Sequence, residues 1–360
     1  MKNQVSIIDG KIDFGRIIPK YFDSTKIKDS TILIKIDTYS GLKSQQSGTT
    51  TNIKLVESLI QSLNVFSPKK ILIADSENKD DLNLIFDTIG YSELTLKYQN
   101  VELLNLSHGR TVSYIGEKDY KIRNQEFSEK LNFIDFFIIF SNLKSHVAEK
   151  ISGCWLSQLN YLANNEQKIV LQPFSFYIAY DLYRFFKPSL CILDATTILG
   201  TMGPVEGQPR KMNKIIIGNN PCLTDICAAR LLKLDYKTIP TLKYAVKKLK
   251  LKKIVEKITG QIQPINIDFQ KLSSLHFFIF KFSYFINRLS IYLNNFAYLI
   301  FLGGMALISI GGKDLVTGRW MSINNYFKIA KEVITKINKA DNLLNLKITI
   351  NNHVKEQSIS

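Results

Sequence analysis

Short apolar runs alternate with helical periodicities over the first 240 residues. Residues 32–36 (ILIKI) form a nearly continuous apolar run ended by Asp37. Residues 70–74 (KILIA) form a second, ended by Asp75 and Ser76, and residues 134–140 (IDFFIIF) a third, running into Asn142, Lys144 and His146. Runs of this length suit strands buried on both faces. Between the first two, residues 53–64 (IKLVESLIQSLN) set Leu55, Val56, Leu59, Ile60 and Leu63 three and four positions apart, on one helical face. Residues 173–186 predict an aromatic helix opened by Pro173. Leu190 to Leu193, ending on Asp194, and Ile215 to Ile217, leading to Asn219 and Asn220, predict two further strands, followed by a helix from about Thr224 to Leu234. Alternation of this kind predicts an α/β fold: a mainly parallel sheet with helices on both faces.

Beyond residue 239 the pattern changes. Residues 240–257 hold seven lysines, with Leu242, Val246, Leu249 and Ile254 able to share an apolar stripe. Residues 276–311 carry only Lys281 and Arg288 as charges and are dense in Phe, Tyr, Leu and Ile. The uncharged run from Phe296 to Gly312 is shorter than the ~20 apolar residues that span a bilayer, and Gly303, Gly304, Gly311 and Gly312 interrupt it. A buried core helix is the first reading of this region, a membrane-facing element helped by the basic helix the second, and a spanning helix the third. The expected organisation is an α/β domain over 1–239, a basic and apolar helical region over 240–350 packed on it, and a polar tail over 351–360.

Charge sharpens this division. Residues 1–180 contain 21 Lys and Arg against 20 Asp and Glu, whereas residues 181–360 contain 26 against 11. The second half is therefore the one suited to an anionic partner: a phosphate-bearing ligand or an anionic membrane surface, with nucleic acid a weaker candidate because no recognised binding motif is present. Cys154, Cys191, Cys222 and Cys227 include no CxxC pair, so neither a zinc ribbon nor a ferredoxin-type cluster is encoded. Together with an N-terminus lacking an apolar stretch of signal-peptide length, this predicts a cytoplasmic protein, peripheral to the membrane if the basic region engages lipid.

The polar residues at the predicted strand ends are the candidate chemistry. Lys35 and Asp37, Asp75 and Ser76, Lys144 and His146, and Asp194 all lie near the carboxyl ends of strands, which share one edge in a parallel sheet. Lys144, His146, Asp194 and Asp225 are the candidate catalytic groups: a cation and an imidazole for an anionic substrate, and carboxylates for proton transfer. Asp194 and Asp225 are also the candidate ligands for a divalent cation, although Asp225 lies near a predicted helix start where capping is an alternative. Lys35, Asp75 and the glycine-rich segment Gly200, Gly203, Pro204 and Gly207 are the candidate substrate-binding groups, since glycine lets backbone N–H groups approach an anion closely. The glycine segment is neither GxxxxGK[ST] nor GxGxxG.

The ordered set ILIKID at 32–37, Thr49–Thr51, IADS at 73–76, NLKSH at 142–146, Gly153, then Asp194, Gly200, Gly203, Pro204, Gly207 and Asp225 resembles the domain of unknown function 362 family over about residues 30–235. The resemblance implies an α/β domain with a polar site built from the lysine–histidine segment and the Asp/Gly-Pro segment. The sequence departs from the family pattern at two places. Ser157-Gln158 stands where a Lys-Asn pair is usual, and Ile36-Asp37 where the first strand usually ends in a proline–asparagine element. The cysteine-rich ferredoxin segment of many relatives is absent, so no Fe–S cluster is expected. The resulting expectation is an enzyme of undefined reaction acting on a small anionic substrate, with a divalent metal as the candidate cofactor. The alternative is a non-catalytic protein that uses residues 240–311 to bind a membrane surface or a partner.

Overall fold

The computed structural model describes residues 3–21, 23–38, 48–76, 82–115, 124–146, 149–163, 175–201, 207–267 and 269. The apolar region 276–311 and the tail 351–360 lie outside the described residues.

A parallel core forms first along the chain. After β1 (Val5–Asp9) and α1 (Phe14–Tyr21), β2 (Thr31–Lys35) leads through α2 (Ile53–Asn64) to β3 (Lys70–Asp75). Two short helices, α3 (Leu82–Thr88) and α4 (Tyr91–Lys97), then carry the chain to β4 (Val101–Asn105). The boundaries of α2 are those its periodicity predicts. Asn52 caps it through the Lys54 N–H, and Val56, Leu59, Ile60 and Leu63 are buried. Burying four such side chains contributes roughly 1.5–3 kcal/mol each.

After the hairpin β5 (Thr111–Ile115) and β6 (Asn124–Ser128), the chain returns to the sheet as β7 (Phe136–His146), which pairs with β2 on the side away from β3. The short β8 (Lys150–Ser152) folds back on the end of β7, followed by the single turn α5 (Cys154–Ser157) and by α6 (Ser175–Phe185). β9 (Leu190–Gly200) lies parallel to β7, and β10 (Gln208–Gly218) antiparallel to β9. The connection of residues 201–207 is too short for a parallel crossover, so a hairpin results. The sheet order is β1-β10-β9-β7-β2-β3-β4, with β8 on β7. The fold is therefore α/β with a largely parallel central sheet. The strand order reverses between β2 and β7, the position where open α/β sheets form a crevice beyond the carboxyl ends of their strands.

Side-chain alternation along the strands serves two cores. Ile138, Phe140, Leu190 and Ile192 pack with α1 to α4, while Ile139, Leu143, Cys191 and Leu193 pack with the second group of helices. That group includes α5, α6, α7 (Pro221–Leu231), α8 (Pro240–Lys248) and α9 (Lys252–Gly260). Leu242, Val246 and Val255 are buried in this second core, so α8 and α9 turn their apolar stripes inward and their lysines outward. Among the described residues no helix is long and apolar enough to cross a membrane.

Three strand and helix ends differ from the sequence pattern. β7 extends through Lys144 and His146 because β8 pairs with it there, and β9 extends past Asp194 to Gly200 because β10 pairs with it there. α7 starts at Pro221 rather than Thr224: the Asn220 side chain accepts from the Cys222 and Leu223 N–H groups, and Pro221 needs no partner for its nitrogen.

Candidate functional site

At the β2–β7 boundary, near the carboxyl end of β2, lies a buried network centred on Asp37. Parallel register places Lys35 opposite Ile139, so the chain leaving β2 meets Ser141 and Asn142 of β7. Asp37 Oδ1 accepts from Lys35 Nζ at 2.6 Å and from Ser157 Oγ at 2.7 Å. Oδ2 accepts from Lys144 Nζ at 2.6 Å, Ser141 Oγ at 2.6 Å and the Asn142 N–H at 3.2 Å. Ser157 Oγ in turn accepts from Lys35 Nζ at 2.5 Å. Both lysines are 0 % exposed.

The protonation behaviour follows from this geometry. Burial alone would raise the Asp37 pKa, but Lys144 and Lys35 outweigh it and hold the carboxyl well below the usual range. Burial opposes the Lys35 ammonium too, yet Asp37 and Asp75 overcome it and its pKa is raised. Lys144 moves the opposite way: burial prevails over Asp37, Lys35 adds like-charge repulsion, and its pKa is lowered. Asp75 explains the difference, since its Oδ1 lies 3.7 Å from Lys35 Nζ. Asp75 is held mainly by neutral donors, Oδ2 by the Thr38 N–H and Oγ1 and Oδ1 by the Ser76 N–H and Asn160 Nδ2.

The segment preceding α2 closes over this cluster. The Thr51 N–H donates to the Asp37 carbonyl, the Asp37 N–H donates to Thr51 Oγ1, and Thr51 Oγ1 donates to the Phe140 carbonyl of β7. At the other end Gly48, at φ +72°, lies against β9 so closely that a Cβ would sit 2.9 Å from the Thr197 carbonyl oxygen. Residues 48–51 thus run from β9, against Thr197, to the end of β2, with Thr51 bonded to Phe140 of β7, and Thr49, Thr50 and Thr51 are buried.

Asp194 lies on β9, three residues before the Thr197 carbonyl that Gly48 approaches. It is paired in register with Asn142, and the β7–β9 pairing becomes irregular just beyond, between Asn142 and Lys144. Its Oδ1 accepts from the Thr196 N–H and Oγ1 at 2.8 and 2.6 Å. No described residue donates to Oδ2. Burial raises the Asp194 pKa, against the pull of the Thr196 hydrogen bonds and of the Lys144 ammonium. Three buried oxygens nearby also lack partners: Asn142 Oδ1, Thr50 Oγ1 and, on the α5 side, Gln158 Oε1. Unsatisfied buried polar atoms are costly and rare, and Asn142 Oδ1 and Thr50 Oγ1, whose residues adjoin Asp37's hydrogen-bond partners, mark a place that water or a ligand can complete.

The remaining predicted residues occupy other positions. Asp225, in the second turn of α7, does not cap its own helix. Its Oδ1 and Oδ2 accept from the Cys154 and Trp155 N–H groups at 2.8 and 2.9 Å, so it caps α5. Burial pushes its pKa up to about 7, only partly offset by those two N–H groups. Gly153 leaves room for it, since a Cβ there would stand 2.6 Å from Asp225 Oδ1. Asp225 therefore holds the turn that presents Ser157 to Lys35 and Asp37. Its committed oxygens leave it poorly placed to share a metal with Asp194. Among the described residues no group of three or more His, Cys, Asp or Glu side chains could hold a metal ion.

His146 Nδ1 accepts from the Glu149 N–H at 3.1 Å, and burial pushes its pKa down to about 4. Glu149 continues to Ser175 Oγ of α6 at 2.9 Å and to the Thr241 N–H of α8 at 3.2 Å, so these bonds tie His146 to the helical layer rather than to Asp37. Gly200 and Gly207 face each other at the base of the β9–β10 connection, where a Cβ on Gly207 would lie 2.3 Å from the Gly200 carbonyl oxygen. Gly203 and Pro204 lie outside the described residues.

The structure thus brings Lys35, Asp75, Lys144 and Asp194 to one edge. It adds Asp37 as the hub, with Ser141, Asn142, Thr51 and Ser157 around it. Asp37 was legible as a strand-end acid, but its centrality depends on the β2–β7 register. The two departures from the family pattern, Asp37 and Ser157, touch each other at 2.7 Å.

A family profile described as Domain of unknown function (DUF362) matches residues 32–230, more than half of the chain and all of the Asp37 cluster. No curated protein matches the sequence.

Proposed function

The chain belongs to the domain of unknown function 362 family, and from that premise we propose that its β2–β7 crevice is an enzyme site for a small anionic substrate. Asp194 is the proton-handling group: a buried carboxyl with a raised pKa and an oxygen to which no described residue donates. Lys144 supplies the neighbouring positive charge, and its lowered pKa suits a lysine that gives up a proton during a reaction. Lys35, Asp37 and Ser157 hold Lys144 in place. The observation that carries this reading is the coincidence of the topological reversal with buried polar atoms that the protein leaves unpartnered.

Thermal-shift measurements with small carboxylates and phosphate monoesters test it. At least one is expected to stabilise the native protein and to lose that effect in Asp194→Asn, a substitution close in shape. Hits that stabilise both proteins equally, or an absence of hits, would count against it.

A second reading is favoured by the surface of α8 and α9. Residues 230–260 carry ten Lys and Arg against two Asp and Glu, nearly all exposed. With its apolar residues packed inward, this face would meet an anionic membrane by charge alone.

A further inference from the structure

The buried, unpartnered Asn142 Oδ1 and Thr50 Oγ1, with Asp194 Oδ2 to which no described residue donates, bear on the ligand's chemistry. Asn142 Oδ1 and Asp194 Oδ2 belong to residues paired across parallel strands, so their side chains leave the sheet on the same face. That face carries α2, and Thr50 Oγ1 lies in the segment that enters α2. The amide oxygen only accepts hydrogen bonds, the Asp194 carboxyl only accepts while ionised, and the Thr50 hydroxyl can accept or donate. The Lys35 and Lys144 ammonium groups are already engaged, Lys35 by Asp37 and Ser157 and Lys144 by Asp37. An anionic group consisting of acceptor oxygens alone would leave Asn142 Oδ1 unsatisfied, and Asp194 Oδ2 as well whenever that carboxyl is ionised. A ligand ammonium would place a third positive charge beside two buried lysines, against a carboxyl whose ionised form burial already disfavours. Neutral hydroxyl groups fit both demands, because they donate to these oxygens and bring no charge.

We infer that the crevice takes a hydroxyl-bearing acid, with adjacent hydroxyls donating to Asn142 Oδ1 and Asp194 Oδ2. This rests on the anionic-substrate reading above and specifies the part of the substrate that enters beneath Thr50.

Isothermal titration of the full chain with D-gluconate, hexanoate and sorbitol separates the two. Gluconate and hexanoate share a carboxylate and a six-carbon chain, and sorbitol keeps the hydroxyls without the charge. The expected result is that gluconate binds at least about tenfold more tightly than hexanoate, because a site built to hydrogen-bond hydroxyls rejects the analogue without them. Asn142→Leu, close in volume but without the acceptor, should narrow that ratio. Its far-ultraviolet circular dichroism would show whether it folds, and Asn142→Gln, which keeps the amide acceptor without adding charge, should retain more of the preference than the leucine variant. Equal binding of gluconate and hexanoate would overturn the inference and leave the anionic reading standing. Binding of sorbitol as tight as gluconate would overturn the anionic reading and with it the acid part of the inference, leaving only the hydroxyl contacts. No binding of any of the three would overturn the inference.

Discussion

Lys144 Nζ lies 2.6 Å from Asp37 Oδ2, across the boundary between β7 and the end of β2, with both side chains almost fully buried. Lys35 takes the other oxygen of the same carboxylate at the same distance. One aspartate is therefore the shared partner of two buried lysines, and its single negative charge offsets only one of their two positive ones. Replacing it with Asn leaves those charges facing each other, with Asp75 at 3.7 Å as the remaining close acid. Asp37→Asn should cost about 3–5 kcal/mol of unfolding free energy, measured by urea denaturation. Adding Lys144→Met should recover part of that loss. A cost below about 1 kcal/mol would show that the lysines are solvated or deprotonated.

Gly153 and Asp225 form a second matched pair. At φ −150° the glycine lies outside the left-handed region, so the requirement the structure shows is spatial: a Cβ would stand 2.6 Å from Asp225 Oδ1. Gly153→Ala should displace the carboxylate from the Cys154 and Trp155 N–H groups and destabilise the protein by about 1–3 kcal/mol. Asp225→Ala removes the clash along with the cap. The double substitution should therefore cost less than the sum of the singles, and strict additivity would refute the coupling.

Asp225 also predicts a pH dependence. Its folded pKa of about 7 lies above the ordinary 3.8, so between these values the folded protein holds a proton that the unfolded chain has released. The stability contributed by this group therefore falls as pH rises through that window and levels off above 7. His146 acts oppositely: its folded pKa of about 4 lies below the ordinary 6.5, and its contribution falls as pH drops through 6.5 to 4. Comparing the native protein with Asp225→Asn cancels the histidine. The variant should gain on the native protein by roughly 2–4 kcal/mol between pH 4.5 and 8. A constant difference across that range would contradict the assignment.

The lysine face of α8 and α9 gives the second reading its own test. Vesicles containing phosphatidylserine should bind the protein at low ionic strength and release it as salt screens the charge. Replacing Lys243, Lys247, Lys250, Lys252 and Lys253 with Gln should abolish the binding. Binding that survives either treatment would rule out a purely electrostatic surface.

How much of this was legible in the sequence depends on what decides each feature. Val56, Leu59, Ile60 and Leu63 recur at helical spacing, so α2 could be bounded from periodicity alone. β2 and β3 were legible because strands covered on both faces read as continuous apolar runs. β4, with the mixed sequence VELLN, and the hairpin β5–β6 lack that signal. Lys144, His146 and Asp194 read as residues beyond strands, whereas they lie within strands prolonged by partners distant in the chain. The convergence of Lys35, Asp75, Lys144 and Asp194 followed from the shared edge of a parallel sheet. Asp37 as hub did not, because it depends on register, which local pattern leaves open. Asp225 read as a residue near the start of its own helix, but the cap it provides belongs to α5, a contact between residues 70 positions apart.

The most direct test of the account is a high-resolution crystal structure viewed at Asp194 Oδ2. The account predicts a ligand or ordered water donating to that oxygen and to Asn142 Oδ1, beneath Thr50. An Asn142 amide turned to donate to Asp194, with apolar atoms filling the remaining space, would contradict it.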